Sequence, residues 1–220
     1  MGTALYEHSA QSRLKAAISK SLPHAHLTLP PPARNPGGSS STALPTSHIA
    51  PPVADPGVGA PVGLMSIPTL GVSDAAIIEG TGESQLQQGP GHYPGTPLPG
   101  EAGNAAIAGH RTTYGAPFYS LDALHSGDAI NIETPQGLFG YQVVLTKIVS
   151  PDDVSVLQPT PLPELTLTTC NPRYSATQRL VVRALLTTSV TTQSLAGHNP
   201  TGSGSSSSTT TTPTTVPTTL

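Results

Sequence analysis

The chemistry this chain can offer starts from one sulfur. Cys170 is the only cysteine, set in the run Thr-Leu-Thr-Thr-Cys-Asn-Pro from Thr166 to Pro172. A thiol with an unperturbed pKa of ~8.5 is only about 3 % ionised at pH 7, so nucleophilic work needs a nearby cation or base. Attack on an amide also needs a donor for the charge that develops on the carbonyl oxygen. An apolar, alternating stretch ends at the cysteine and Asn171-Pro172 follows, which puts the thiol where a strand gives way to a loop. The competing reading of a lone cysteine is a small hydrophobe closing a core strand.

Eight histidines are available as the base. His8, His24, His26 and His48 fall in the front segments and His198 in the tail, where nothing holds a side chain to catalytic tolerance. Of the other three, His110 ends the apolar run Asn104-Ala-Ala-Ile-Ala-Gly and sits at a strand terminus just as Cys170 does. His92 lies in a Gly/Pro-rich loop and is a contributor to substrate contacts. His125 follows Leu121–Leu124 and reads as a surface residue. Cys170 with His110 is the economical pair.

For the oxyanion, a planar, permanently charged guanidinium is suited, and Arg173, Arg179 and Arg183 all follow the cysteine. Arg179 opens the strand Arg179-Leu-Val-Val-Arg-Ala and can return beside the strand that ends in Cys170. Arg183 has the same face parity but lies about 13 Å farther along an extended chain, so it reads as a barrel-surface charge.

Other constellations fail on spacing. Glu79 with Glu83, and Asp152 with Asp153, are too loose for paired carboxylates. His24 and His26 stand in proline-rich sequence without a third metal ligand, and no acid cluster suggests calcium, so no metal is expected. The glycines of Gly80–Gln85 and Gly89–Gly95 lack the Gly-Lys-Ser/Thr ending of a phosphate loop, and no cofactor is expected. With 9 Lys+Arg against 12 Asp+Glu, and no basic run interleaved with aromatics, a nucleic-acid partner is not expected. One cysteine allows no internal disulfide. No apolar run reaches the ~20 residues of a membrane span, and the first twenty residues lack the apolar centre of a signal peptide.

These residues need a scaffold, and the pattern supplies a β domain. Leu5–Lys20 reads as a short helix with a thin apolar stripe through Leu5, Leu14 and Ile18. Leu22–Val62 is too rich in Pro and Gly for helix or interior strand and reads as an extended linker. From Val62 onward, short β-branched runs are divided by Pro68, Gly71 and Asp74. Gly89–Gly103 reads as a loop, Gly137–Ser150 as one long strand, and Glu164–Cys170 and Arg179–Val190 as the last strands. Six to eight strands with little helix favour a closed, mostly antiparallel barrel over a sandwich. After Ala196 the Ser/Thr-rich sequence reads as disordered. The divisions are 1–61 for helix and extension, 62–196 for the β domain, and 197–220 for the tail.

The stretches Thr166–Ala184, with its Thr-Leu-Thr-Thr-Cys strand end and returning arginine strand, and Asn104–Arg111, with its strand-terminal histidine, resemble the sortases. These are cysteine transpeptidases of the outer face of Gram-positive bacteria. The likeness covers roughly Met65–Leu186. Gly89–Thr96 before the histidine strand, and Ala108–Leu124 from its end onward, make it most similar to the actinobacterial class E type.

The resemblance implies an eight-stranded sortase barrel with Cys170 as nucleophile, His110 as general acid/base and Arg179 as oxyanion and substrate stabiliser. It also implies substrate contacts by Tyr114 and Thr169. The implied reaction cleaves a sorting signal of Leu-Pro-x-Thr-Gly type, or Leu-Ala-x-Thr-Gly for class E, between Thr and Gly. The acyl group then passes to an amine of a peptidoglycan precursor (lipid II) or of a pilin-like protein. The implied partners are sorting-signal-bearing secreted proteins, with the enzyme itself a monomer. The implied location is the extracellular face of the membrane, with an N-terminal anchor that is absent from this chain.

Two rivals stand beside this reading. One is a non-enzymatic cell-surface β domain with a buried cysteine. The other is a hydrolytic cysteine protease, for which the sequence offers no Asp or Asn motif to orient the histidine.

Overall fold

The computed structural model describes residues 2–22 and 49–191. Most of the expected linker and all of the expected 197–220 tail lie outside those residues. Eight strands form: β1 Pro61–Ile67, β2 Val72–Glu79, β3 Gly91–His92, β4 Asn104–Ala108, β5 Ala129–Thr134, β6 Gly137–Val149, β7 Glu164–Asn171 and β8 Gln178–Thr191. They close into a barrel in the order β1-β2-β3-β4-β7-β8-β6-β5. The β2–β3 and β4–β7 pairings are parallel and the rest antiparallel.

The alternation of leucine and threonine in β7 fixes which face is inside. Leu165 and Leu167 are fully buried in the core with Ile107 of β4 and Leu180 and Val182 of β8. Thr166, Thr168 and Cys170 therefore leave on the opposite face, because successive side chains on a strand alternate. Burial of the leucine set pins the register, since a slip by one residue would turn it outward.

The Gly89–Gly103 segment is not loop throughout. Its two-residue β3 pairs with both β2 and β4 and closes the gap between them. So short a strand leaves no alternation in the sequence to read. The long connection from β4 to β5 is held down by its own apolar residues, Phe118, Leu121 and Leu124, all in the core.

The described end of the proline-rich stretch is laid against the barrel. Ala50 is buried, its N–H donates to Gly100 O at 2.8 Å, and the Val53 N–H donates to the Glu101 carboxylate at 2.9 Å. Before it, the helix α1, Gly2–Ser21, packs on β1 and β2.

A glutamine in the middle of the buried stripe of α1 docks the helix. Gln11 accepts from Ala76 N–H at 2.8 Å and donates to Ala76 O at 3.1 Å and Gln88 O at 2.6 Å. The side-chain amide thus stands where a neighbouring strand would bond β2, just short of the point at which β3 begins. Ile18, one helical repeat farther on, is buried beneath it.

Replacing Gln11 by leucine leaves the Ala76 groups orphaned in a buried place, at a cost of about 1–3 kcal/mol. Chemical denaturation of the Q11L protein is expected to show a loss of that size. A change below about 0.5 kcal/mol would mean that water or a shifted α1 serves the edge instead.

Candidate active site

Strand β7 carries neighbours on both sides, and its end is where the candidate residues meet. On one side Cys170 and Arg179 are direct cross-strand partners in the β7–β8 ladder. Such partners project from the same face of a sheet, so the guanidinium stem rises beside the thiol. On the other side, Ala108 of β4 pairs in parallel with Thr168, and the Gly109 N–H donates to Thr168 O at 3.1 Å. Two further steps along each chain bring His110 level with Cys170.

His110, Cys170 and Arg179 line one cleft of about 250 Å³ together with Leu86, Tyr93, Ala108 and Thr168. Cys170 is half-buried and free.

Local sequence explains why the histidine turns out here. A Cβ on Gly109 would collide with the ring of Phe118, so only glycine lets the chain pass over that core residue before His110. The Thr169 hydroxyl donates to Gly109 O at 2.7 Å and ties this turn to β7. Tyr114, at φ 48°, lies against the imidazole with ring centroids 5.1 Å apart.

The imidazole has no carboxylate partner among the described residues. Its Nε2 is buried without a hydrogen bond among the described residues. Burial pushes its pKa below the ordinary histidine value, and the charge of Glu83, in the single-turn helix α2 Glu83–Leu86, partly opposes that shift. The ring thus keeps Nε2 uncommitted to any hydrogen bond among the described residues, while the residue itself lines the cleft. Arg179 Nη1 donates to the carbonyls of Ala176 at 2.9 Å and Gln178 at 3.0 Å, which curls the guanidinium toward the loop after Cys170.

Three of the sequence-derived expectations need adjusting. His92 does not reach the cleft: it is fully buried, with Nδ1 2.7 Å from Glu79 Oε2. Its Nε2 lies 3.0 Å from both Pro97 O and Thr96 Oγ1. The Thr96 hydroxyl donates its own proton to Tyr93 O, so both imidazole nitrogens face acceptors and the ring is a tie within the fold. Thr169 borders the cleft, but its side chain faces inward and its hydroxyl donates to Gly109 O, which leaves only its backbone to meet a substrate oxygen. Tyr114 contacts the histidine and does not line the cleft itself.

Tyr93 was not singled out from the sequence. It lines the cleft and its hydroxyl lies 3.0 Å from Thr168 Oγ1. Its only signal is an aromatic residue in a Gly/Pro segment next to a buried histidine.

The electrostatics of the histidine are open to direct measurement. In a proton NMR titration, His110 is expected to have a midpoint below the ~6.5 of an unperturbed histidine. Glu83→Gln removes the upward influence, so the midpoint should fall further. A rise, or no movement, would show that Glu83 does not act on the ring.

Residues 65–187, more than half of the chain, match the family model for the sortase domain. Sortase SrtE1 of Streptomyces coelicolor is 37 % identical over 144 residues, which is 58 % of this chain and 40 % of that protein. The matched stretch is thus less than half of that relative's length. The solved structure of the SrtA sortase from Actinomyces oris superposes with a TM-score of 0.61 at 32 % identity, over 71 % of this chain and 93 % of that one. Sortase E1 from Streptomyces coelicolor, solved with a tripeptide in its active site, gives 0.58 at 31 % identity over 65 % and 96 %. With its closed eight-stranded barrel and a cysteine, a histidine and an arginine at one rim, this chain belongs to the sortase family.

Proposed function

We propose that the protein is a class E-like transpeptidase that cuts a sorting signal between Thr and Gly and passes the acyl group to an amine. The carrying observation is the cross-strand pairing of Cys170 with Arg179 in the cleft that His110 also lines. The Cys170 thiol passes its proton to His110 as the sulfur attacks the threonine carbonyl carbon, and the Arg179 guanidinium supports the oxygen as it becomes negative. His110 gives its proton to the glycine amine as the C–N bond breaks, leaving a thioester. An incoming amine then attacks the thioester, His110 takes up its proton, and the sulfur is released.

The cleft has walls of small and aromatic side chains and carries a cation, which suits an extended peptide with short residues. That favours alanine or proline at the second position of a Leu-Ala-x-Thr-Gly or Leu-Pro-x-Thr-Gly signal, and we take the alanine form as the substrate. Tyr114, packed on the imidazole and outside the cleft lining, meets only a part of the peptide that extends past His110. The natural amine belongs to a peptidoglycan precursor or to a lysine of a pilin-like protein, and the reaction takes place on the outer face of the membrane.

A non-enzymatic barrel accounts less well for a half-exposed thiol beside a histidine nitrogen with no partner. A hydrolase whose histidine is oriented by Asp or Asn lacks that third residue at His110.

The protein should be incubated with alanine- and proline-type signal peptides, with and without a glycine-based amine, and the products weighed by mass spectrometry. The expected result is ligated product from the alanine-type peptide. It should vanish in Cys170→Ala and fall by about 10²–10⁴-fold in His110→Ala and Arg179→Ala, all three remaining folded. Cleavage without ligation in the presence of amine would make the protein a hydrolase. Absence of cleavage of every peptide by folded protein would remove this reading.

A further inference from the structure

We propose that Arg111, with Asp122, is a positioning residue that locks the His110 turn and the Cys170 strand end into one unit. The inference rests on the reading of Cys170 and His110 as the reacting pair. It starts from the way strand β4 ends. The Gly109 N–H donates to Thr168 O, so a continued parallel ladder would bring the Arg111 N–H to Cys170 O two residues later. The chain turns away at His110 instead. In place of that backbone donor, Arg111 Nη1 donates from its side chain to Cys170 O at 3.2 Å and to Asn171 Oδ1 at 2.7 Å.

The other arm of the fork reaches back to the His110 side. Arg111 Nη2 pairs with Asp122 Oδ2 at 3.0 Å, with side-chain exposures of 3 % for the arginine and 45 % for the aspartate. Asp122 lies in the 3₁₀ turn Leu121–Ala123, on the same connection as His110. Its second oxygen accepts from Arg173 at 2.9 Å, and the Arg173 Nε donates to Tyr119 O at 3.1 Å, so the loop after Cys170 is tied to the same turn. Arg111 Nε is buried without a partner among the described residues.

His110 is thereby bracketed. The residue before it is tied to β7 through Thr169 and Thr168, and the residue after it is tied to the cysteine's own carbonyl. Among the described residues no carboxylate hydrogen-bonds its ring, so these ties and Tyr114 set where the imidazole stands. A planar fork that serves three oxygens at once is beyond a lysine, whose single ammonium cannot span them. Misplacement of a reacting group by ~1 Å is enough to lose about a hundredfold in rate.

The test compares Arg111→Lys and Asp122→Asn with the unmodified protein in the peptide-transfer assay, together with amide hydrogen exchange. Expected for R111K is a kcat lower by about ten- to a hundredfold with KM within about twofold, and for D122N a smaller fall of the same kind. Exchange at Phe118, whose N–H donates to His110 O, and at Ser175, whose N–H donates to Pro172 O, should rise together in both variants. A purely architectural role would lower the folded fraction without this split between kcat and KM.

Retention of kcat within about twofold in both variants overturns the proposal, as does faster exchange in one loop alone or in neither. Should R111K fail to fold, D122N decides, since its side chain is half exposed. Should the unmodified protein turn over no peptide, the functional reading fails by itself and the exchange data alone decide the clamp.

Discussion

The register of β7 between its two neighbours is the constraint on which the site depends. One strand is paired in parallel with β4 and antiparallel with β8, so its position fixes two alignments at once. The first sets Thr168 beside Ala108 and the second sets Cys170 beside Arg179. Neither would survive a shift of one residue, because Cys170 would then point into the barrel and Leu167 into the cleft. The energy that prevents the shift comes from far more than the reacting residues. Leu165, Leu167, Leu180 and Val182 are all withdrawn from water, each contributing on the order of 1.5–3 kcal/mol. A hydrophobic pattern thus sets the place of polar chemistry.

The cleft face of the same sheet is framed by polar staples. Asn104, at the start of β4, donates to the carbonyls of Val156 at 2.9 Å and Gln158 at 3.2 Å and accepts from the Thr166 hydroxyl at 2.7 Å. That holds the β6–β7 connection against β4. On the other side the His92–Glu79 pair anchors the segment that carries Tyr93. A buried pair of this kind stabilises only when its remaining hydrogen bonds are met, and here Pro97 and Thr96 meet them. Strands β4 and β3 beside the cleft are thus each held by buried, hydrogen-bonded polar groups.

What could be read from the sequence was whatever left a period or a chemical type. The Leu/Thr alternation of β7 gave the face of Cys170, and the position of Arg179 at the head of the following strand gave its return. His110 stood out because an apolar run ended on it. Two-residue β3 left no period, and the composition of its segment spoke for a loop. His92 looked available because loop histidines usually are, and its burial depends on Glu79, thirteen residues earlier on another strand. The Thr169 hydroxyl is claimed by Gly109, a partner 60 positions away. Gln11 broke the apolar stripe of α1 for a reason visible only once the open edge of β2 is known. Arg111 carries no such signal, since the oxygens it serves come from a strand end and a turn that only the fold brings together.

The absence of an acid at the His110 ring has a consequence for how the proposed chemistry is run. A carboxylate hydrogen-bonded to an imidazole orients it and also favours its charged form. Here the two jobs are separated. Orientation falls to backbone ties on either side of the residue and to the ring of Tyr114, while burial disfavours the charge and Glu83 restores only part of it. The resting histidine is therefore neutral, which suits it to accept a proton from an incoming amine. As a donor to the departing amine it must first gain a proton that its surroundings resist holding, which makes it a stronger acid once protonated. Such an arrangement trades a large population of the reactive form for reactivity within it, and it demands that the ring already stand in the right place when the proton arrives.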